Sequence, residues 1–505
     1  MGARTWLRVA LCVIALAATQ GPVTAMSPRP TTAMPLATVT SLTEIWSYDN
    51  HDKQGIELGT AVSSAGDVNA DGWADVLVGA PKAAGAVDNE GLVFFFLSSA
   101  AGPAANPTVV LSAGLAEAQG SRFGEAVASA GDIDADGYDD VIIGAPYFKQ
   151  KVVQKPDAGA IFIFYGSGRT EGLAAHPDWD FYGDRREAYL GAAVASAGDV
   201  NGDGYADVVV GAPGYEYRGA VLILLGSPSG LVTETATLIT STVASRFGAA
   251  VSGAGDVNGD GFDDILVGAP TFERDTSHTD EGAAYIFLGS DSGIDTTVGW
   301  EVQGDQAGAQ FGASVTGLGD TNGDGYGDIA VGAPWFDADE LDATENGHGR
   351  VAVFYGRAQG PAGVPGRLLV GPEPLARLGA SLGGGGDINK DGFADLVVGM
   401  PSIVNDSGGS SVDAPEAALV YLGSDTGLMA YAAWRVQALQ QTTDYGYAVG
   451  IVDHPQPGVY DDVLVGAPHY QYDTNPYGKA FGYAGAEYAG LFVSVFLPLI
   501  LRAAP

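Results

Sequence analysis

Short apolar runs, each broken by Gly, Asp, Asn or Pro, recur along the chain from residue 42 to about residue 497. They are rich in Val, Ile, Phe and Tyr. This pattern predicts strands joined by tight turns, with no amphipathic helix in this stretch. The runs come in four kinds. The first opens on an aromatic or Leu followed by Gly: Leu58-Gly59, Phe123-Gly124, Leu190-Gly191, Phe247-Gly248, Phe311-Gly312, Leu378-Gly379 and Tyr445-Gly446. The second is a VLVGAP-like stretch. The third resembles GAIFIFYG (159–166), and the fourth, weaker, resembles GWEVQG (299–304).

These four runs form one repeating unit. GDVNADGWADVLVGAP (66–81) returns at 131–146, 198–213, 255–270, 319–334 and 386–401, with an eroded seventh copy at 453–468. The leading Asp residues are 57 to 67 residues apart. Units of four strands, repeated seven times, predict an all-β, seven-bladed β-propeller. A stacked solenoid is the alternative, but no capping repeats are visible. After the last copy the chain offers strands at 445–452, 462–466 and 490–497, one short of a blade. TEIWSYDN (43–50) supplies the missing one, so the N-terminal strand is expected to complete the last blade and close the ring.

The aromatic-Gly start and Gly-Ala-Pro end of each copy resemble FG-GAP repeats, as in the propeller of integrin alpha subunits. The resemblance covers about 455 residues. It implies seven blades, calcium in hairpin loops and a partner-binding face. The chain departs from that pattern in lacking leg domains, a transmembrane helix and, in the mature part, any cysteine. It has full loops in six copies, more than the resemblance implies, and the sixth carries Met400 in place of Ala.

Each full copy spells D-x-[DN]-x-D-G-x-x-D. The positions are Asp67, Asn69, Asp71, Trp73, Asp75; Asp132, Asp134, Asp136, Tyr138, Asp140; and Asp199, Asn201, Asp203, Tyr205, Asp207. The remaining loops hold Asp256, Asn258, Asp260, Phe262, Asp264; Asp320, Asn322, Asp324, Tyr326, Asp328; and Asp387, Asn389, Asp391, Phe393, Asp395. Ca²⁺ takes six to eight oxygens, and acids at positions 1, 3, 5 and 9 of a tight turn can converge on one ion. Position 7 would add its carbonyl, with its aromatic ring packed inward between strands. Carboxylates about 5 Å apart repel by roughly 3 kcal/mol per pair at an effective dielectric of ~20. About six Ca²⁺, structural in role, are therefore expected. An EF-hand is not, because position 12 is Val or Ile inside a strand. The seventh loop keeps Asp453, Gly458 and Asp462 but has Pro455 and Pro457 at ligand positions, and is expected to bind no metal.

Composition sharpens this reading. The 505 residues carry 61 acidic against 23 basic side chains, a net charge of −38. Nineteen of the acids sit in the loops just named. The balance argues against nucleic acid and against anionic membranes as partners. Residues 1–25 read as a secretory signal, with Arg4 and Arg8 before an apolar run and Val23 and Ala25 at a cleavage site, and a buried strand is the alternative. The only cysteine, Cys12, lies within it, so the mature chain has no disulfide or thiolate site. Residues 26–41 read as a flexible linker and 42–497 as the propeller. The tail at 498–505 reads as a sorting signal or a frayed end, and no membrane span is expected. A secreted or cell-surface location follows.

No catalytic constellation emerges. The six His form no metal spacing, and GSPSG, GSDSG and GSDTG follow third strands as repeat turns. Asp337, Asp339, Glu340 and Asp342 read as a solvated loop. A carbohydrate-active enzyme remains the alternative, because glycoside chemistry needs only two carboxylates. The leading expectation is adhesion: binding of a protein or glycan. Strand order places the 1-to-2 loops, with the acids, on one face of the disc and the 2-to-3 loops on the other. The latter carry Tyr147, Phe148, Tyr215, Tyr217, Phe272, Trp335, Phe336, Tyr470 and Tyr472. These are expected to ring the channel and either bind the partner or plug the opening.

Overall fold

The computed structural model describes residues 13–15, 41–50, 55–149, 155–338, 347–401, 416–437, 443–456, 458–472 and 475–487. The linker, the 490–497 segment and the C-terminal tail expected from the sequence lie outside them, apart from Ser41. Among the described residues there is no α-helix, and no helix is long and apolar enough to cross a membrane.

Seven blades of antiparallel strands form the ring. The first blade is representative: Val62–Gly66, Asp75–Ala80, Leu92–Phe96 and Val109–Leu111, paired in that order. The second strand is buried over its whole length in six blades, and the third is buried throughout in the first blade. Neighbouring blades cover both faces of these strands, which is why they read as continuous apolar runs. The hydrophobic core is correspondingly divided into seven clusters, one at each junction between blades. The third blade carries an extra edge strand, Val13–Ala15, parallel to Leu238–Thr240.

The N-terminal strand does close the ring. Thr43–Asp49 pairs with Lys479–Ala484, with Trp46 opposite Gly482 and Tyr48 opposite Ala480. Trp46 is buried and meets the Phe96 ring of the first blade edge-on at 4.9 Å. The third strand of this blade is Lys479–Ala484, not the expected 490–497. KAFGYA is interrupted by Gly and follows a polar loop, so its signal was weaker than the apolar run after it.

The repeated glycines interlock the blades. Within each blade, the first-strand Gly donates its N–H to the carbonyl of the Gly-Ala-Pro glycine, as in Gly124 to Gly144 at 3.0 Å. The Gly-Ala-Pro glycine in turn abuts the next blade. A Cβ on Gly79 would lie 2.1 Å from the Gly124 oxygen, and one on Gly211 would lie 2.0 Å from the Gly248 oxygen. Gly466 meets the Gly59 oxygen in the same way, 2.1 Å from a would-be Cβ, so the contact closes the circle. Backbone cannot yield as a side chain can.

Gly211→Ala should therefore cost more than the usual helix- or strand-interior glycine replacement, at least about 1–3 kcal/mol. Denaturant unfolding of this variant beside Gly450→Ala, whose Cβ would meet nothing closer than 3.5 Å and whose backbone is not left-handed, checks it. Equal losses would mean that the close approach is not what excludes a side chain.

Candidate functional site

The acidic loops share one geometry. In five blades a register shift just before the loop, as between Ser129 and Gly131, forms a bulge on a glycine of positive φ and turns the chain out of the first strand. Position 6 is Gly in all six loops, at φ 88 to 92, as the wrapping requires. Position 4 is also left-handed in all six, although it is Ala70, Ala135 and Lys390 in three of them.

Backbone N–H groups aim the carboxylates. Asp67 accepts from Asp71 N–H (3.0 Å) and Gly72 N–H (2.7 Å), and Asp71 accepts from Trp73 N–H (2.9 Å). The same three bonds recur in the other five loops. Position 9 lies deeper. Asp140 accepts from Ile133 N–H (2.9 Å) and from Gly166 N–H (2.8 Å) at the end of the third strand. Burial pushes the carboxyls of Asp75, Asp140 and Asp395 up to about 8 and those of Asp207 and Asp264 up to about 7, with nearby loop acids adding to the rise. Asp328 rises to about 6, also through burial, which its Thr321 bonds partly offset. The charged form of each would gain from a cation.

The second loop tests the fit most directly. Elsewhere the position-3 residue is Asn, and in four loops its Nδ2 donates to the position-5 carboxylate, as Asn201 does to Asp203 at 2.9 Å. Asp134 has no such donor. Its Oδ1 is shut off from solvent without a hydrogen-bond partner, and one oxygen each of Asp132, Asp134 and Asp136 lies within 4.8 Å of the others. An orphaned carboxylate oxygen in a three-acid cluster fits a hard divalent ion. The position-7 rings are half-buried rather than deep between strands. They reach across to the preceding loop: a Cβ at position 4 on Gly202, Gly259 or Gly323 would lie 2.6 to 2.9 Å from the ring of Phe262, Tyr326 or Phe393.

Two features escaped the sequence reading. The first is position 8, whose N–H reaches the position-1 carbonyl of the preceding loop, as from Asp139 to Asp67 at 3.2 Å. Where it is Asp, its side chain also accepts the preceding position-1 N–H, as Asp263 does from Asp199 at 2.9 Å. The doubled Asp in those copies was its only signal. The second is the register of the seventh loop. Buried Asp461, not Asp462, takes the position-9 bond to position 2, from His454 N–H at 3.0 Å. Asp462 keeps the third-strand bond from Gly485 N–H, at 3.4 Å.

On the opposite face the nine aromatics do not form one open ring. Phe148, Tyr215 and Phe272 are buried in the junction cores. Phe336 and Tyr470 pack partly against theirs, and the Tyr472 side chain lies outside the described residues. Tyr217 is 82% exposed. The rings already hold cations of this chain: Arg122 over Tyr147 at 5.4 Å, Arg185 over Tyr215 at 5.7 Å, Arg350 over Phe336 at 4.0 Å, Arg377 over Trp335 at 4.7 Å and Lys479 over Tyr470 at 5.2 Å.

This is a seven-bladed β-propeller built on FG-GAP repeats. The FG-GAP repeat family matches residues 58–93, 123–164, 190–224, 247–287 and 311–354. Among curated proteins the chain is similar to integrin alpha-8 of Gallus gallus, 33% identical over 282 residues that cover 52% of this chain and 25% of the relative. It is also similar to integrin alpha-IIb of Homo sapiens, 34% over 280 residues with the same two shares, and to integrin alpha-4 of Xenopus laevis, 33% over 222 residues, 42% of this chain and 20% of the relative. The chain thus resembles the N-terminal propeller of integrin alpha subunits and spans about a quarter of their length.

At the junction of the first and last blades, an ionic cluster faces the same side as the aromatics. His469 lies 2.6 Å from Asp444 and 3.8 Å from Glu57, and Glu57 also pairs with Lys82 at 2.6 Å and Arg122 at 3.4 Å. The hydrogen bonds to Asp444 and Glu57 raise His469 to about 9. Burial alone would raise Glu57, but His469, Lys82 and Arg122 outweigh it and hold its carboxyl at about 2. A raised His stabilises fully below its ordinary value near 6.5 and loses that contribution as pH climbs through about 9. In saturating calcium, the melting temperature should fall between pH 7 and pH 9.5, modestly because His469 is half-exposed. His469→Gln should flatten that fall; an unchanged profile would remove the cluster from ring closure.

Proposed function

We propose that this protein is a secreted or cell-surface adhesion propeller, stabilised by calcium, that binds a protein ligand on the face formed by the 2-to-3 loops. The likeness to integrin alpha subunits over about half the chain carries the reading. Those subunits are non-enzymatic adhesion receptors, which supports binding over the carbohydrate-active alternative. Residues 1–25 are read as the secretory leader, 26–41 as a linker, 42–497 as the binding domain and 498–505 as a tail.

The six loops would each hold one Ca²⁺ through the acids and Asn at positions 1, 3, 5 and 9 and the position-7 carbonyl. The ion supplies charge neutralisation and fixes the turn. The chain's own part is to present carboxylates that backbone N–H groups have already aimed. The burial that raises the position-9 acids supports a structural role, because an apo loop must either bury charge or take up a proton.

On the opposite face, Trp335 with Arg377 and the exposed Tyr217 are the best-placed contacts. The buried Phe148, Tyr215 and Phe272 serve the junction cores instead. A glycan ligand has no specific observation in its favour.

Melting in about 2 mM Ca²⁺ should exceed melting in EDTA by several degrees, since an ion bound only by the folded state stabilises it. Asp134→Asn should narrow that gap by raising the EDTA value, because it removes one charge from the crowded second loop. Equal melting points in the two media would refute the calcium reading.

The ligand face is tested separately. Binding of the calcium-loaded protein to an array of extracellular proteins should yield hits that Tyr217→Ala with Trp335→Ala reduces about tenfold or more, with the calcium melt unchanged. Hits that survive the double replacement would place the ligand elsewhere, and hits confined to a glycan array would replace the protein reading.

A further inference from the structure

We propose that the seventh blade carries its own cation: the ammonium of Lys390, from the sixth loop, sits in the seventh loop where the other blades are read as taking a metal ion. The comparison with those blades rests on the calcium reading above. The ion pair itself stands on geometry.

The seventh loop retains two acids of the pattern. Asp453 occupies position 1, and Asp461 takes the position-9 role. Asp461 is fully buried, and its backbone partners are the N–H groups of His454 (3.0 Å) and Asp387 (2.6 Å). Lys390 Nζ lies 2.5 Å from Asp461 Oδ1 and 3.8 Å from Asp453 Oδ1, so it bridges the first and ninth positions of the loop. No other described cation is paired with either acid. A buried carboxylate left without a counter-charge is costly, and Pro455 and Pro457 in this loop remove ligand positions that a metal would need.

The sequence position of Lys390 explains how it gets there. It is position 4 of the sixth loop, and position 4 is where the third, fourth and fifth loops address the next blade. Gly202, Gly259 and Gly323 meet the following loop's aromatic ring there, and Gln456, at position 4 of the seventh loop, meets Gly72 of the first. The other full loops carry only Ala or Gly at this position. The one long cationic side chain falls immediately before the one loop whose ligand set is eroded. Its backbone is at φ 53, against 55 and 56 for Ala70 and Ala135, so the side chain is not needed for the loop's own turn.

The seventh blade is also the one closed by the N-terminal strand. An internal ammonium would leave that closure independent of calcium, while the other blades depend on it.

A double-mutant cycle on the full mature chain tests this, with Lys390→Ala, Asp461→Asn and both together, melted in saturating Ca²⁺ and in EDTA. Lys390→Ala gives the sixth loop the residue that two other loops carry, so its metal binding should be retained. The expected result is a fall of about 3–5 °C for Lys390→Ala in both media. Asp461→Asn should add little to it, and Lys390→Arg should restore most of the loss. Bound calcium per chain should be unchanged in Lys390→Ala. Additive single effects would overturn the proposal, as would a Lys390→Ala effect that disappears in EDTA, because the lysine would then act only through the sixth loop's ion. If the wild type binds no calcium at all, the calcium reading fails, but the cycle still reports on the Lys390–Asp461 pair.

Discussion

The ring depends on backbone meeting backbone at every blade junction. Each Gly-Ala-Pro glycine lies against the carbonyl of the next blade's first-strand glycine, and seven such contacts close on themselves through Gly466 and Gly59. The approach leaves no room for a Cβ, so it fixes the distance between inner strands. With that distance fixed, the apolar second and third strands of adjacent blades can fill each junction as one packed cluster. The repeated motif is thus a packing constraint spelled once per blade at each end of the inner hairpin.

The acidic loops form a second ring on the opposite face, and it is not independent of the first. The bulge glycine that ends most inner strands turns the chain into the loop. Position 8 of one loop is bonded to position 1 of the loop before it, as Ala206 N–H is to the Asp132 carbonyl at 3.0 Å. Neutralising the carboxylates therefore acts on blade-to-blade contacts as well as on single turns. The seventh loop is joined to the sixth differently, through the Asp461 carboxylate, which accepts the Asp387 N–H at 2.6 Å and pairs with Lys390.

Much of this was legible in the residues. The seven units, the strand content and closure by 43–50 follow from periodicity, because strands buried on both faces leave long apolar runs with glycine stops. The shared turn of the six acidic loops was legible in its spacing, because Gly at position 6 takes the left-handed backbone the turn requires. The third strand of the last blade was not, since KAFGYA has a weaker apolar signal than the segment after it. The aromatic ring was also misjudged. Phe148, Tyr215 and Phe272 look alike in sequence to Tyr217 and Trp335, and only packing against neighbouring blades separates buried rings from exposed ones.

The sequence by itself determined the local chemistry: where strands start and stop, which turns need glycine and where negative charge accumulates. These are properties of a few consecutive residues and their intrinsic preferences. The tertiary structure alone decided which groups meet across blades: Lys390 with Asp461, about 70 residues apart in sequence, the position-7 rings with the preceding loops, and the chain's own cations with the aromatics of the 2-to-3 loops. Such contacts depend on closing the ring, and a repeat pattern states the unit without stating what each copy finds beside it.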